Sequence, residues 1–244
     1  MSEPHDLRGD FHDGIQSVRD DIARLGASVV ELIPRVTRIL LEQDLEGAEY
    51  VLRGDAEIDE RAVSVEERAL RLLALQAPVA NDLRNLAAAL KLAPEIERSA
   101  DLCCNLCKAA RRIYGHELDP KLRGIIQRMS DQAQQEYKKV IEAYIADDEV
   151  AAAAIPDMDG YLDDLHRQLV QQIFESHADG TIDLQVAVQM AMVARFYERL
   201  GDHAVNISQR VLYIVAGWLP EHARAARNQE RLDALVEAGD GANE

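Results

Sequence analysis

Glu198, Asp202 and Asn206 recur every four residues in "ERLGDHAVN", inside a stretch that is otherwise apolar and alanine-rich. At helical periodicity this spacing stacks acid, acid and amide in a column on one face. Two carboxylates so placed stand about 6 Å apart, and like charges at that spacing cost a few tenths of a kcal/mol. A lone column of this kind is ordinary solvated surface. It acquires chemistry when a second acidic pair faces it, because four converging carboxylates cannot all stay ionised without counter-charge. Magnesium, or manganese, iron and zinc held by carboxylates, would supply that charge.

The column has a twin. Displacing the chain by 101 residues lays "DLRNLAAALKLAPEIERSADLCCN" (82–105) over "DLQVAVQMAMVARFYERLGDHAVN" (183–206), with seven identities. Three of them carry the chemistry: Glu97 matches Glu198, Asp101 matches Asp202 and Asn105 matches Asn206. Asp82/Asp183, Leu83/Leu184, Ala93/Ala194 and Arg98/Arg199 complete the set.

Opposing acids stand one segment earlier, as Asp55 and Asp59 in "DAEID" and Asp159 and Asp163 in "DGYLD". In a helical hairpin, level residues lie symmetrically about the turn. Asp59 with Glu97, and Asp55 with Asp101, both centre on Pro78, which is a helix breaker. Asp163 with Glu198, and Asp159 with Asp202, centre between Gly180 and Thr181. Each hairpin would then bring four carboxylates to one height. The competing reading is a pair of solvated faces, or faces paired with Arg53, Arg98 and Arg199.

The elements that must position these residues are helices throughout, with no convincing alternating strand. The periodicity predicts segments at about 11–43, 45–75, 80–114, 119–147, 149–176 and 182–218. Asp44 caps the second, and Asp119-Pro120 opens the fourth with cap then proline. Asp82 and Asp183 each follow a turn and read as further caps. Pro34 and Pro94 fall inside helical patterns and should kink them or mark irregular turns. With the repeat, this gives an all-α fold of two three-helix bundles, residues 1–116 and 117–220. A polar tail follows at 221–244, its last residues expected to be disordered.

Composition narrows the function classes. Hydrophobic residues make up 48% of the chain, enough for a large core. The net charge of -17 opposes nucleic-acid binding, which needs Lys and Arg against phosphates. It likewise disfavours anionic lipid, and suits cations held between carboxylates. No window has the roughly 18 uninterrupted apolar residues of a membrane span, and the N-terminus lacks a signal-peptide pattern. Cys103, Cys104 and Cys107 are too clustered for a disulfide framework, so a reducing cytoplasm is expected. Their counterparts in the repeat, Ala204, Val205 and Ser208, are small, which points to close helix packing rather than a thiolate site.

Together "LALQAPVANDLR" (73–84), "EIERSAD" (95–101) and "FYERLGDHAVNISQRVLYIVAG" (196–217) resemble the PhoU family, the accessory proteins of bacterial phosphate-specific transport. The similarity covers about residues 10–218. It implies two three-helix bundles, a homodimer, and paired acid-x-x-x-acid motifs that hold divalent or multinuclear metal. Carried onto this chain, the ligands would be Asp55, Asp59, Glu97 and Asp101, then Asp159, Asp163, Glu198 and Asp202. Asn105 and Asn206, one turn further along, would be ligands or support them. The resemblance also implies a cytoplasmic, non-enzymatic negative regulator of phosphate uptake and of the phosphate-starvation response. Its partners would be the transporter's ATPase subunit and the phosphate-sensing histidine kinase, met at the inner face of the membrane. One departure is visible: the first half has Ala100 and Leu102 where the second has Gly201 and His203.

Two other readings stand beside this one. A carboxylate-bridged di-metal oxidoreductase would want Glu-x-x-His motifs on separate helices, and only Asp163-x-x-His166 approaches that pattern. A metal-free helical adaptor would leave the acids as ordinary surface. His203 lies about 100° round the helix from Asp202, which favours contact with a neighbouring helix over ligation. Tyr213 and Trp218 read as bundle or dimer packing. No Walker, GxGxxG, GxSxG or HExxH motif is present.

Overall fold

The computed structural model describes residues 7–217. It contains six long helices and one short one: α1 (Leu7–Glu42), α2 (Leu45–Gln76), α3 (Ala80–Arg112), α4 (Pro120–Ala146), α5 (Glu149–Ala153), α6 (Ile155–Ala178) and α7 (Leu184–Ala216). No strand occurs among the described residues. Trp218 and the tail at 221–244 lie outside them.

The helix starts follow from cap chemistry. Asp44 accepts from the Gly47 amide at 2.9 Å, and Asp119 from those of Lys121 and Leu122 at 2.9 and 3.0 Å. Asp183 accepts from Val186 at 2.8 Å. Each bond satisfies an otherwise orphaned amide of the first turn. Asp82 differs from its predicted role. Val79 occupies the cap position of α3 without a side-chain bond, and Asp82 already lies in the first turn. There its charge favours the positive helix end. The single segment predicted over 149–176 is two helices, because Pro156 opens α6 and Ala154 ends α5. Helices α1 and α3 run on through Pro34 and Pro94.

α1, α2 and α3 pack as one three-helix set, and α4, α6 and α7 as another, with α5 lying on the second. The sets meet through α1 against α4 and α3 against α7. α2 contacts only α1 and α3, while α6 contacts only α4, α5 and α7.

The buried apolar residues of both sets form one continuous core. Gly26 lets α1 approach α4 closely, since a Cβ there would fall 2.2 Å from Ile141 Cδ1. Polar bonds cross the same interface: Tyr137 of α4 donates to Ser99 of α3 at 2.6 Å, and Thr37 of α1 meets Tyr197 of α7 at 2.6 Å and Ser130 of α4 at 2.7 Å. Both tyrosines are fully buried, with their hydroxyls satisfied.

Candidate metal centre

The α2–α3 hairpin brings Asp55, Asp59, Glu97 and Asp101 into one electrostatic neighbourhood. Burial pushes the Glu97 carboxyl above its ordinary value, and the charges of Asp101, Asp59 and Asp55 add to it against Arg98. Asp59 is raised by burial and then by Asp55 and Asp101. Asp59 and Asp101 are exposed, leaving the cluster open to solvent along one edge. Asp55 Oδ1 is buried and lacks a hydrogen-bond partner.

The α6–α7 hairpin does the same with Asp159, Asp163, Glu198 and Asp202. Burial, then Asp163, Asp202 and Glu198, push Asp159 up to about 7. Glu198 is raised by burial and by Asp202, with Arg195 and His166 opposing and Asp163 adding. Arg195 donates to Glu198 Oε1, while Oε2 is buried and unpartnered. Asp202 is exposed, so this cluster is also reachable from solvent.

Gly201, where the first half has Ala100, opens room for the second cluster. A Cβ on Gly201 would fall 2.1 Å from Asp159 Oδ1, 2.8 Å from Leu162 Cδ2 and 3.2 Å from Glu136 Oε2. The Asp159 carboxylate thus occupies the space a side chain at 201 would take. In the first half Ala100 carries a Cβ, fully buried, at the corresponding place.

Glu136 of α4 is a residue that the four-residue spacing did not single out. It is 0% exposed, the one fully buried acid among the described residues. Burial raises it to about 8; the hydrogen bond from Gln132 opposes this, and Asp159 and Asp163 add to it. A sequence signal existed: Glu136 sits at core spacing with Ala133, Tyr137 and Val140 on α4. A charged residue on an apolar helix face is an exception that asks for a partner.

The asparagines bond elsewhere as well. Asn206 donates to Glu95 Oε2 at 3.0 Å, and Asn105 accepts from Lys108 at 3.0 Å. His203 Nδ1 meets Glu95 Oε2 at 2.7 Å, so it contacts the neighbouring helix α3, as its angular offset from Asp202 suggests. Burial works to raise Glu95, but the hydrogen bonds from His203 and Asn206, with the charges of His203 and Arg98, hold it below its ordinary value. Glu95 therefore joins the two helix sets, whereas Glu97, two residues on, serves the α2–α3 cluster. All three cysteines are buried free thiols. Burial pushes them up, to about 11 for Cys107; a hydrogen bond with Asp55 adds for Cys104, and the Asp55 charge adds for Cys103 and Cys104.

The residues fit a metal in donor type and in their unmet oxygens. Carboxylate oxygens suit magnesium, manganese and iron, and Asp55, Glu198 and Glu136 each leave a buried oxygen without a partner. No group of three or more His, Cys, Asp or Glu among the described residues forms a ready-made metal cage. Carboxylates of like charge hold one another apart until a cation offsets their repulsion.

The comparisons agree with this architecture. The PhoU domain family matches residues 22–110 and again 126–211. A Mycobacterium tuberculosis protein named "Phosphate-specific transport system accessory protein PhoU homolog 2" is 31% identical over 215 residues, covering 88% of this chain and 100% of that protein. "PhoU homolog 1" of Methanothermobacter thermautotrophicus is 27% identical, over 84% of this chain and 94% of its own length. Crystal structures of PhoU from Pseudomonas aeruginosa and Streptococcus pneumoniae superpose with TM-scores of 0.80 and 0.79, each at 22% identity. The former covers 85% of this chain and 100% of its own, the latter 86% and 98%. With two copies of the family's domain spanning most of its length, the chain belongs to the PhoU family.

Proposed function

We propose that the protein is a non-enzymatic regulator of phosphate homeostasis that represses phosphate uptake and the phosphate-starvation response. The observation that carries this reading is the doubled PhoU domain, together with relatives named as accessory proteins of phosphate-specific transport. The partners proposed are the ATPase subunit of the phosphate transporter and the phosphate-sensing histidine kinase, met by a cytoplasmic homodimer. An apolar stripe of exposed Leu184, Val188 and Met192, four residues apart on α7, supports contact with another chain. Among the described residues no helix is long and apolar enough to cross a membrane, so the protein would reach the bilayer through its partners.

In the same reading Asp55, Asp59, Glu97 and Asp101 hold one divalent or multinuclear metal site, and Asp159, Asp163, Glu198 and Asp202 another. Iron, zinc, manganese and magnesium are the candidates. A bound cation would offset the carboxylate repulsion within each hairpin. The protein's own part is to fix the acids at one height on paired helices and to leave Asp101 and Asp202 open to solvent. Regulation would then act through the stiffness of the two outer helices, α2 and α6, which touch only their own sets.

Deleting the gene tests the regulatory reading. Phosphate-responsive genes are expected to be derepressed in phosphate-rich medium, and restored by the wild-type chain. Normal repression in a deletion strain without a paralogue would overturn it.

A further inference from the structure

Glu136 belongs to neither acid-x-x-x-acid pair and stands on α4, a helix outside both hairpins. Its carboxylate is fully buried, and no Lys, Arg or His lies within ion-pair distance of it among the described residues. One oxygen is accounted for. Gln132 Nε2 donates to Oε1 at 2.7 Å and also to the Met158 carbonyl at 2.9 Å, tying Glu136 to α6 beside Asp159. The other oxygen, Oε2, has no partner. It stands 3.2 Å from the point above Gly201 that lies 2.1 Å from Asp159 Oδ1. The two oxygens are therefore no further apart than those distances added together.

Leaving a buried carboxylate unmatched is costly unless something binds it. Gly201 is what lets Asp159 lie deep enough to reach it. The first half has no equivalent: Ala100 holds the corresponding place, and α1 contributes no buried acid.

We propose that Glu136 is a fifth carboxylate ligand of the α6–α7 metal site, supplied by α4 and oriented by Gln132, so that the two halves of the protein hold cations unequally. The inference rests on the metal-binding reading above and assigns that site a residue outside its motif pairs. A ligand from α4 gives the second site three helices instead of two. A cation there would pull α4, α6 and α7 together, whereas the first site spans only α2 and α3. Added carboxylate ligands raise affinity for hard divalent cations, so the second site is the tighter one for Mn2+.

The test uses the full-length chain, freed of metal by a chelator, with Glu97→Gln and Asp101→Asn silencing the first cluster. Mn2+ binding is measured by calorimetry and by loss of the free-ion electron paramagnetic resonance signal. Glu136→Gln keeps the shape and the Gln132 bond; Glu136→Leu is the second variant, and circular dichroism checks the fold of both. Each is expected to weaken Mn2+ binding on the order of tenfold or more. Their metal-free forms should melt no lower than the parent, because Oε2 has no hydrogen-bond partner to lose. Mn2+ affinity within about twofold of the parent in the folded variants overturns the proposal while leaving the paired motifs as the site. A parent that binds no Mn2+, or binding that survives Glu198→Gln with Asp202→Asn, overturns the metal reading itself and the proposal with it.

Discussion

Asp159 fills the space of the side chain that Gly201 lacks, its Oδ1 standing 2.1 Å from where a Cβ would be. This contact lets Asp159 sink into the helix set. Gly201→Ala would drive the methyl into Asp159 and Leu162. The expected cost is about 1–3 kcal/mol, as for other overpacked sites. Urea unfolding measures it, and calorimetry with Mn2+ should show weaker binding in the same variant.

Stability should fall with rising pH in the metal-free protein. Asp159 and Glu136, at about 7 and about 8, stand above their ordinary values of 3.8 and 4.5. The folded state therefore holds protons that the unfolded chain releases. Their contribution is complete below about pH 4 and is lost as pH rises through 7 to 8. Asp21, Glu95 and Asp119 are held low and act in the opposite direction, in the acid range. Urea midpoints recorded across pH in a chelating buffer should decline between about 5 and 9, and Glu136→Gln should flatten the decline. A midpoint that climbs over that range would contradict this.

Glu95 separates structural acids from metal-site acids. It accepts from both His203 and Asn206 across the α3–α7 interface. Because an ionised carboxylate only accepts, His203 Nδ1 carries the hydrogen in this bond. Glu95→Ala leaves both donors without that partner and should destabilise the fold by about 2 kcal/mol. Mn2+ affinity should be unchanged, which the same calorimetry reads.

Tyr137 and Ser99 are joined at 2.6 Å between the two helix sets. Tyr137→Phe removes one buried hydrogen bond and fills the same volume. Ser99 keeps its bond to the Glu95 carbonyl at 2.8 Å, so little is orphaned. A loss of about 1 kcal/mol in urea unfolding is expected.

Much of this was legible in the chain itself. Asp44, Asp119 and Asp183 announce helix starts because capping is local chemistry. The symmetry about Pro78 and about Gly180–Thr181 picks out acids whose charges reach one another within each hairpin, since hairpin geometry is nearly symmetric about a turn. The rest depends on tertiary contact. Glu136 lies on a helix whose distance from α6 no spacing rule reports. The division of labour between Glu95 and Glu97 turns on which face of α3 meets α7. Asp82 follows a turn as Asp183 does, yet the α2–α3 turn is shorter before it, and the cap position falls to Val79.

The two acidic columns are proposed to hold metal. The direct measurement is elemental analysis, by inductively coupled plasma mass spectrometry, of the chain purified without chelators. Wild-type protein should carry stoichiometric divalent or iron-type metal. Glu198→Ala with Asp202→Ala should remove one share of it, and adding Glu97→Ala with Asp101→Ala the remainder. Metal absent from the wild type, or present in equal amount in the quadruple variant, would contradict the account.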